Sequence, residues 1–162
     1  MKIYFSQAKD HELFEYNSLL KDYVDGTDST LKGINSSNGE IEINKIDHSL
    51  IVKVNVLFNI DVVSSYSAEV FKTKIKINDD LYFTNSKSLD SDEFIFVNDE
   101  IDLDYYIYSL LITSIPLNVH KPGESLPKGD GYRVLSEEEF RKEKEESGGN
   151  AFDSLKDIDF GD

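Results

Sequence analysis

The residue types that could do chemistry are few in this chain, and their spacing narrows what that chemistry would be. The three histidines, His11, His48 and His120, lie far apart in no metal-ligand spacing, so they read as ordinary turn or surface residues. Cysteine is absent, which removes disulfides, a thiolate nucleophile and cysteine-ligated zinc together. Asp90-Ser91-Asp92 and Asp157-Ile158-Asp159 begin like a calcium loop but lack the third oxygen ligand, the central glycine and the closing glutamate. Gly129-Asp130-Gly131 has neither the following helix nor the lysine of a phosphate loop, and reads as a turn. No serine, histidine and acid fall into a nucleophile elbow, and carboxylates scattered through so acidic a chain are weak support for acid–base work. The expectation is a non-enzymatic protein without cofactor or metal.

What remains is suited to contact. Leu103, Ile107, Leu110 and Leu111, with Tyr106 beside them, fall on one side of a helix that opens at Asp102, whose carboxylate can cap the first turn. Pro116 disfavours helical geometry at Ile115 and ends it. Tyr105 and Tyr108 then lie toward the opposite face, either covering a sheet edge or returning loop, or forming an exposed contact surface. Beyond the helix, Pro122-Gly123, Pro127 and Gly129-Asp130-Gly131 punctuate a turn-rich loop up to Tyr132. After Ser147-Gly148-Gly149-Asn150, the residues Phe152, Leu155, Ile158 and Phe160 are spaced through acid; such a segment cannot build a core and resembles one that orders on a partner.

The elements that must position these groups are mostly strands. Lys2 to Ser6 reads as a short strand, whereas Leu13, Tyr16, Leu20 and Tyr23 keep helical spacing with Asp10 as a candidate cap, an expectation weakened by middling helix formers. Loops are expected from Asp25 to Gly39 around a brief apolar piece, Leu31 to Ile34. Glu40 to Ile46 is a strand, and Asp47-His48 suits a tight hairpin. Leu50, Val52, Val54, Val56, Phe58, Ile60 and Val62 keep period two, the signature of a long antiparallel strand with one wet face. The next strand changes phase between Tyr66, Ala68, Val70 and Phe71, Ile75, Ile77, which predicts a bulge near Val70-Phe71. Asn78-Asp79-Asp80 reads as a turn, Leu81 to Phe83 as a short strand, Ser86 to Asp92 as a loop, and Glu93 to Val97 as a last strand before the helix. The fold class is α+β: a mainly antiparallel sheet, open or barrel-like, with one core helix and a flexible acidic tail. Residues 1–133 form the core domain. Residues 134–162 hold a helix headed by the capping box Ser136-Glu137-Glu138-Glu139, then the tail motif.

Charge limits the partners. With 32 acidic and 17 basic residues the net charge is −15, which argues against direct binding of naked RNA and favours a basic protein. The start lacks an apolar signal core and no run is long enough for a membrane span, so a cytoplasmic protein without membrane contact is expected.

Ile101-Asp102-Leu103 leading to Leu110-Leu111 and Ile115-Pro116-Leu117, then Pro127-Lys128-Gly129-Asp130-Gly131-Tyr132, resembles the YceD family, the large ribosomal RNA subunit accumulation proteins of bacteria and plastids. Asn150-Ala151-Phe152-Asp153 and Leu155 resemble the family's closing segment, so the likeness covers about the second half of the chain well and the first half only faintly. Where many members carry a cysteine segment, the best match is Ser64-Ser65-Tyr66-Ser67-Ala68-Glu69, so no thiol or metal role of other members can operate here; Tyr132 stands where members often have Trp. The resemblance implies a non-enzymatic factor supporting large-subunit ribosomal RNA accumulation and ribosome assembly. Combined with the charge, it points to a basic ribosomal protein or a large-subunit precursor particle as partner. The expected contact set is then Tyr105, Tyr108, Gly129, Gly131 and Tyr132 around the helix and its loop, with Phe152, Leu155, Ile158 and Phe160 docking as an acidic-apolar motif. The alternative is an acidic adaptor or inhibitor with no ribosomal role.

Overall fold

The structure is a computed structural model that describes residues 1–24, 30–87, 93–124, 126, 128–129, 131–135 and 137–146. Two units divide at Pro122/Gly123. In the first, the strands are β1 (Lys2–Tyr4), β2 (Glu12–Tyr16), β3 (Leu31–Ile46), β4 (Ser49–Val63), β5 (Val70–Thr84), β6 (Ile95–Phe96) and β7 (Glu100–Asp102), followed by the helix α1 (Leu103–Ser114). In the second, a two-strand hairpin, β8 (Lys128–Gly129) and β9 (Tyr132–Arg133), precedes the helix α2 (Glu137–Glu146).

β4 dictates the larger unit. Its alternate residues Leu50, Val52, Val54, Val56, Phe58, Ile60 and Val62 are all buried, while Lys53, Asn55 and Leu57 face solvent, as period two demands. β3 and β5 pair antiparallel along its whole length, from Ile46↔Ser49 to Leu31↔Val62 on one side and from Ser49↔Thr84 to Val63↔Val70 on the other. Asp47, with φ 47°, takes the left-handed conformation in the two-residue connection between β3 and β4. The sheet order is β2-β3-β4-β5-β6. The sheet is open, with β2 and β6 as its outer strands.

Three local expectations give way to that long central strand. Leu31–Gly39 is part of β3 and not a loop: β4 offers an unbroken row of main-chain donors and acceptors, and pairing with it outweighs the turn preference of Asn, Ser and Gly. Irregularities between Leu31 and Gly33 and between Ile34 and Ser36 absorb the mismatch. Asn78-Asp79-Asp80 is no turn, because the three residues pair with Asn55, Val54 and Lys53 inside β5. The bulge expected at Val70-Phe71 is absent too; the change of phase comes from a turn at Ser64–Glu69, where Ala68 has φ 59° and Ser64 Oγ accepts the Tyr66 N–H at 3.1 Å.

The segment expected to be helical around Leu13–Tyr23 is instead β2 and a turn. Glu12–Tyr16 pairs with Ile43–Gly39, and Leu20 (φ 50°) turns the chain so that Tyr23 and Val24 donate to its carbonyl. β6 runs parallel to β5, so the sheet is mixed and not purely antiparallel.

α1 lies as its pattern requires. Leu103, Ile107 and Leu111 are buried, Tyr106 packs edge-on against Phe83 at 5.0 Å, and Ile115 leaves extended at ψ 122° before Pro116. Its start differs from the expectation. Asp102 sits at the N-cap without a capping hydrogen bond; the first N–H, of Leu103, donates to the Met1 carbonyl at 2.9 Å, and the Asp102 carboxylate accepts the Tyr23 hydroxyl at 2.6 Å. β1 and β7 pair through Ile3↔Ile101 beside this end. Past the helix, the chain returns to the β4–β5 turn: Ser65 N–H donates to Val119 O at 2.8 Å and Tyr66 stacks on His120 at 4.6 Å.

Candidate functional site

At Gly39, β4 leaves no room for a side chain on β3. A Cβ there would lie 2.2 Å from the Asn55 carbonyl oxygen and 2.5 Å from the Val56 Cα, so only glycine fits the local curvature. Around this point runs a groove of about 390 Å³, lined by Glu15, Tyr16 and Asn17, then Asn38, Gly39 and Glu40, then Asn55, Leu57 and Lys76. Four strands or their ends contribute. Its walls are carboxylates, amides and one ammonium, with Leu57 as an exposed apolar patch.

The electrostatics of the groove are unbalanced. Glu15 and Glu40 stand directly opposite each other in the β2–β3 register, and like charges in that relation repel. Among the described residues neither carboxylate has a hydrogen bond or ion pair. Two pairs further along, Glu42 is satisfied: a hydrogen bond from Asn44, then the Lys53 ammonium at 3.5 Å and His11 at 3.6 Å, hold its carboxyl below the ordinary range against some desolvation. Two facing carboxylates beside three asparagines can accept a cationic side chain, and the planar five-donor guanidinium of arginine suits such a pair.

A second feature surrounds the start of α1. Tyr23 stacks on Tyr108 at 5.8 Å and tilts against Tyr105 at 6.3 Å, while Tyr105 meets Tyr106 edge-on at 5.2 Å. The hydrogen bond to Asp102, followed by partial desolvation, pushes the Tyr23 hydroxyl up to about 12. Asp104 gathers the Met1 ammonium, the Tyr16 hydroxyl at 2.8 Å and Ser18 Oγ at 3.4 Å. Burial first, and then that bond to Asp104, raise Tyr16 far above the ordinary phenol range. These hydroxyls are locked donors that tie the strand β2 and its turn to the helix. They are not poised acids.

The expected contact residues fall in different places. Tyr105 and Tyr108 are brought together under Tyr23, with Tyr105 53% exposed. Gly129, Gly131 and Tyr132 belong to the β8–β9 hairpin of the second unit, where Gly131 has φ 84°. Phe152, Leu155, Ile158 and Phe160 lie outside the described residues, as does Ser136 of the capping box. Sequence reasoning missed Glu15 and Glu40, which only the β2–β3 register brings together; the signal that could have pointed there is Gly39 beside an alternating strand. Among the described residues no group of histidines and acids could hold a metal, and no helix is long and apolar enough to cross a membrane.

Comparison with known proteins finds no relative: no family model matches the chain, and neither a curated protein nor a solved structure matches it. Residues that carry the YceD resemblance, such as Ile101, Leu103 and Leu111, are buried scaffold, so they speak to the fold before they speak to a partner.

Proposed function

We propose that this protein is a non-enzymatic binding factor that docks a basic partner in the groove over Gly39, and that the partner is a basic ribosomal protein or a large-subunit precursor particle. The single observation behind it is Glu15 facing Glu40, neither carboxylate ion-paired or hydrogen-bonded among the described residues, on a polar, open groove. An Arg or Lys side chain placed there replaces repulsion between two carboxylates by two charge-assisted hydrogen bonds. The ribosomal identity of the partner rests on the family resemblance, together with a net charge of −15 that favours a cationic protein over bare RNA. Support of large-subunit ribosomal RNA accumulation and ribosome assembly then follows from occupancy of the particle and needs no chemistry of the protein's own. The acidic-apolar segment with Phe152 and Leu155 belongs to the same proposal as a second contact.

The test is gradient sedimentation of tagged protein in cell extract, scored for large-subunit ribosomal RNA and ribosomal proteins, with the variant Glu15→Gln/Glu40→Gln beside the unaltered chain. The expected result is co-sedimentation with large-subunit precursors that the variant loses. Sedimentation of the unaltered chain as a free small protein overturns the ribosomal reading, and equal co-sedimentation of both moves the contact away from the groove.

A further inference from the structure

β5 has a free edge along most of its length. β6 pairs only with Phe83 and Thr84, so from Val70 to Tyr82 the side of β5 turned away from β4 meets no strand among the described residues. Such an edge exposes a row of main-chain donors and acceptors. Lys72, Lys74 and Lys76 alternate along it on the solvent face and are exposed, with Asp61, Asn59 and Leu57 as their β4 neighbours. None of the three ammonium groups has an ion pair or hydrogen bond among the described residues. In a chain with 32 acidic and 17 basic residues, this row is a local inversion of charge. On the opposite face of β5, Phe71 and Ile75 are only half-buried against the core cluster, so the apolar layer stops at an open flank.

We propose that the β5 edge accepts an extended segment of a partner protein in which acidic residues alternate with apolar ones, adding a strand beside β5. Three unmet features are satisfied at once. Main-chain pairing fills the open ladder; acidic side chains, recurring at intervals of about 6.7 Å as alternate residues of a strand do, stand beside the lysines; apolar side chains extend the layer of Phe71 and Ile75. A second copy of β5 is the wrong occupant for this row, because pairing that overlays the two Lys72–Lys76 stretches sets lysines against lysines. A nucleic acid backbone answers the charges but neither the ladder nor the apolar flank. The partner is therefore a peptide segment of acidic-apolar alternation, distinct from the basic partner proposed for the groove.

The test is fluorescence anisotropy of the full chain with a short labelled peptide of alternating Glu and Val, against the same peptide N-methylated on alternate amides, a Lys and Val peptide, and an oligouridylate. The variant Lys72→Glu/Lys74→Glu leaves Lys76 at the border of the groove intact. The expected result is saturable binding of the acidic peptide, weakened roughly tenfold by the variant, which instead gains the Lys and Val peptide. N-methylation is expected to abolish binding. Thermal unfolding establishes that the variant is folded, and Lys72→Gln/Lys74→Gln, expected to weaken binding without gaining the basic peptide, replaces it if it is not. Absence of binding, equal binding of the N-methylated peptide, or preference for the oligouridylate overturns the proposal, and none of these bears on sedimentation with ribosomal precursors.

Discussion

Replacing Gly39 by alanine adds one methyl group where β3 and β4 leave no room for it. The new Cβ would sit 2.2 Å from the Asn55 carbonyl oxygen, 2.5 Å from Val56 Cα and 2.9 Å from Val56 Cγ2. Two of these three atoms are main chain, so a change of rotamer cannot relieve the clash; β3 and β4 must part by about 1 Å to restore ordinary contact. The strands are held from both outer sides, β3 by Tyr16 of β2 paired with Gly39 and β4 by Ile77 of β5 paired with Val56. Overpacking of this kind costs about 1–3 kcal/mol, from which alanine recovers about 0.4–1 kcal/mol by restricting the unfolded chain. A net loss of about 1–2 kcal/mol lowers the melting temperature of a chain this size by roughly 2–8 °C. Thermal unfolding followed by far-ultraviolet circular dichroism measures it. Gly33→Ala is the matched control, since the nearest atom to its Cβ is 3.8 Å away, and it should be neutral or slightly stabilising. Equal melting temperatures for Gly39→Ala and Gly33→Ala would refute the claim that close approach of β3 and β4 dictates glycine at position 39.

Stability should also fall as the pH rises above about 10, the ordinary tyrosine value, because the unfolded chain releases the Tyr16 proton there while the folded chain, with its pKa raised, keeps it. The stabilising contribution is thus whole below that pH and declines above it, at up to about 1.4 kcal/mol per pH unit for this residue. Tyr16→Phe should flatten that decline in urea unfolding measured across the range, and at neutral pH should cost about 1–2 kcal/mol by removing a donor to part-buried Asp104. Ile107→Ala should lower stability by about 2–5 kcal/mol, since the side chain is fully buried in the core, whereas Leu110→Ala on the half-buried flank of the same helix should cost distinctly less. Urea midpoints for the two variants check the order, and a larger loss at Leu110 would count against the packing described for α1.

Elements whose burial pattern is written in consecutive residues are legible from the chain alone. β4 is one, because alternation of Leu50 to Val62 is itself the statement of which face is dry. α1 is another, since Leu103, Ile107 and Leu111 recur at helical spacing and Pro116 stops them. The hairpin at Asp47-His48 needs only two residues able to turn. The middle of β5 and the first half of β3 are illegible for the converse reason. Asn78-Asp79-Asp80 and Asn35-Ser36-Ser37-Asn38-Gly39 carry turn chemistry, and the hydrogen bonds that overrule it come from β4, distant in sequence for part of their length.

The candidate site shows the same division. Tyr105 and Tyr108 can be placed on one helix, but Tyr23, which covers them, cannot, because its approach depends on the left-handed turn at Leu20 and on Asp102 being free to accept its hydroxyl. Glu15 and Glu40 are ordinary surface acids in the sequence; they confront each other only through a register set by the β2–β3 pairing. The row Lys72, Lys74, Lys76 alternates along the chain, yet its position on a free edge follows from β6 pairing with only two residues of β5. The sequence by itself determined periodicity, charge and chain stops, because these are properties of neighbours along the chain. Tertiary structure alone decided register, edge and confrontation, because those depend on which distant main-chain groups find one another when the core closes.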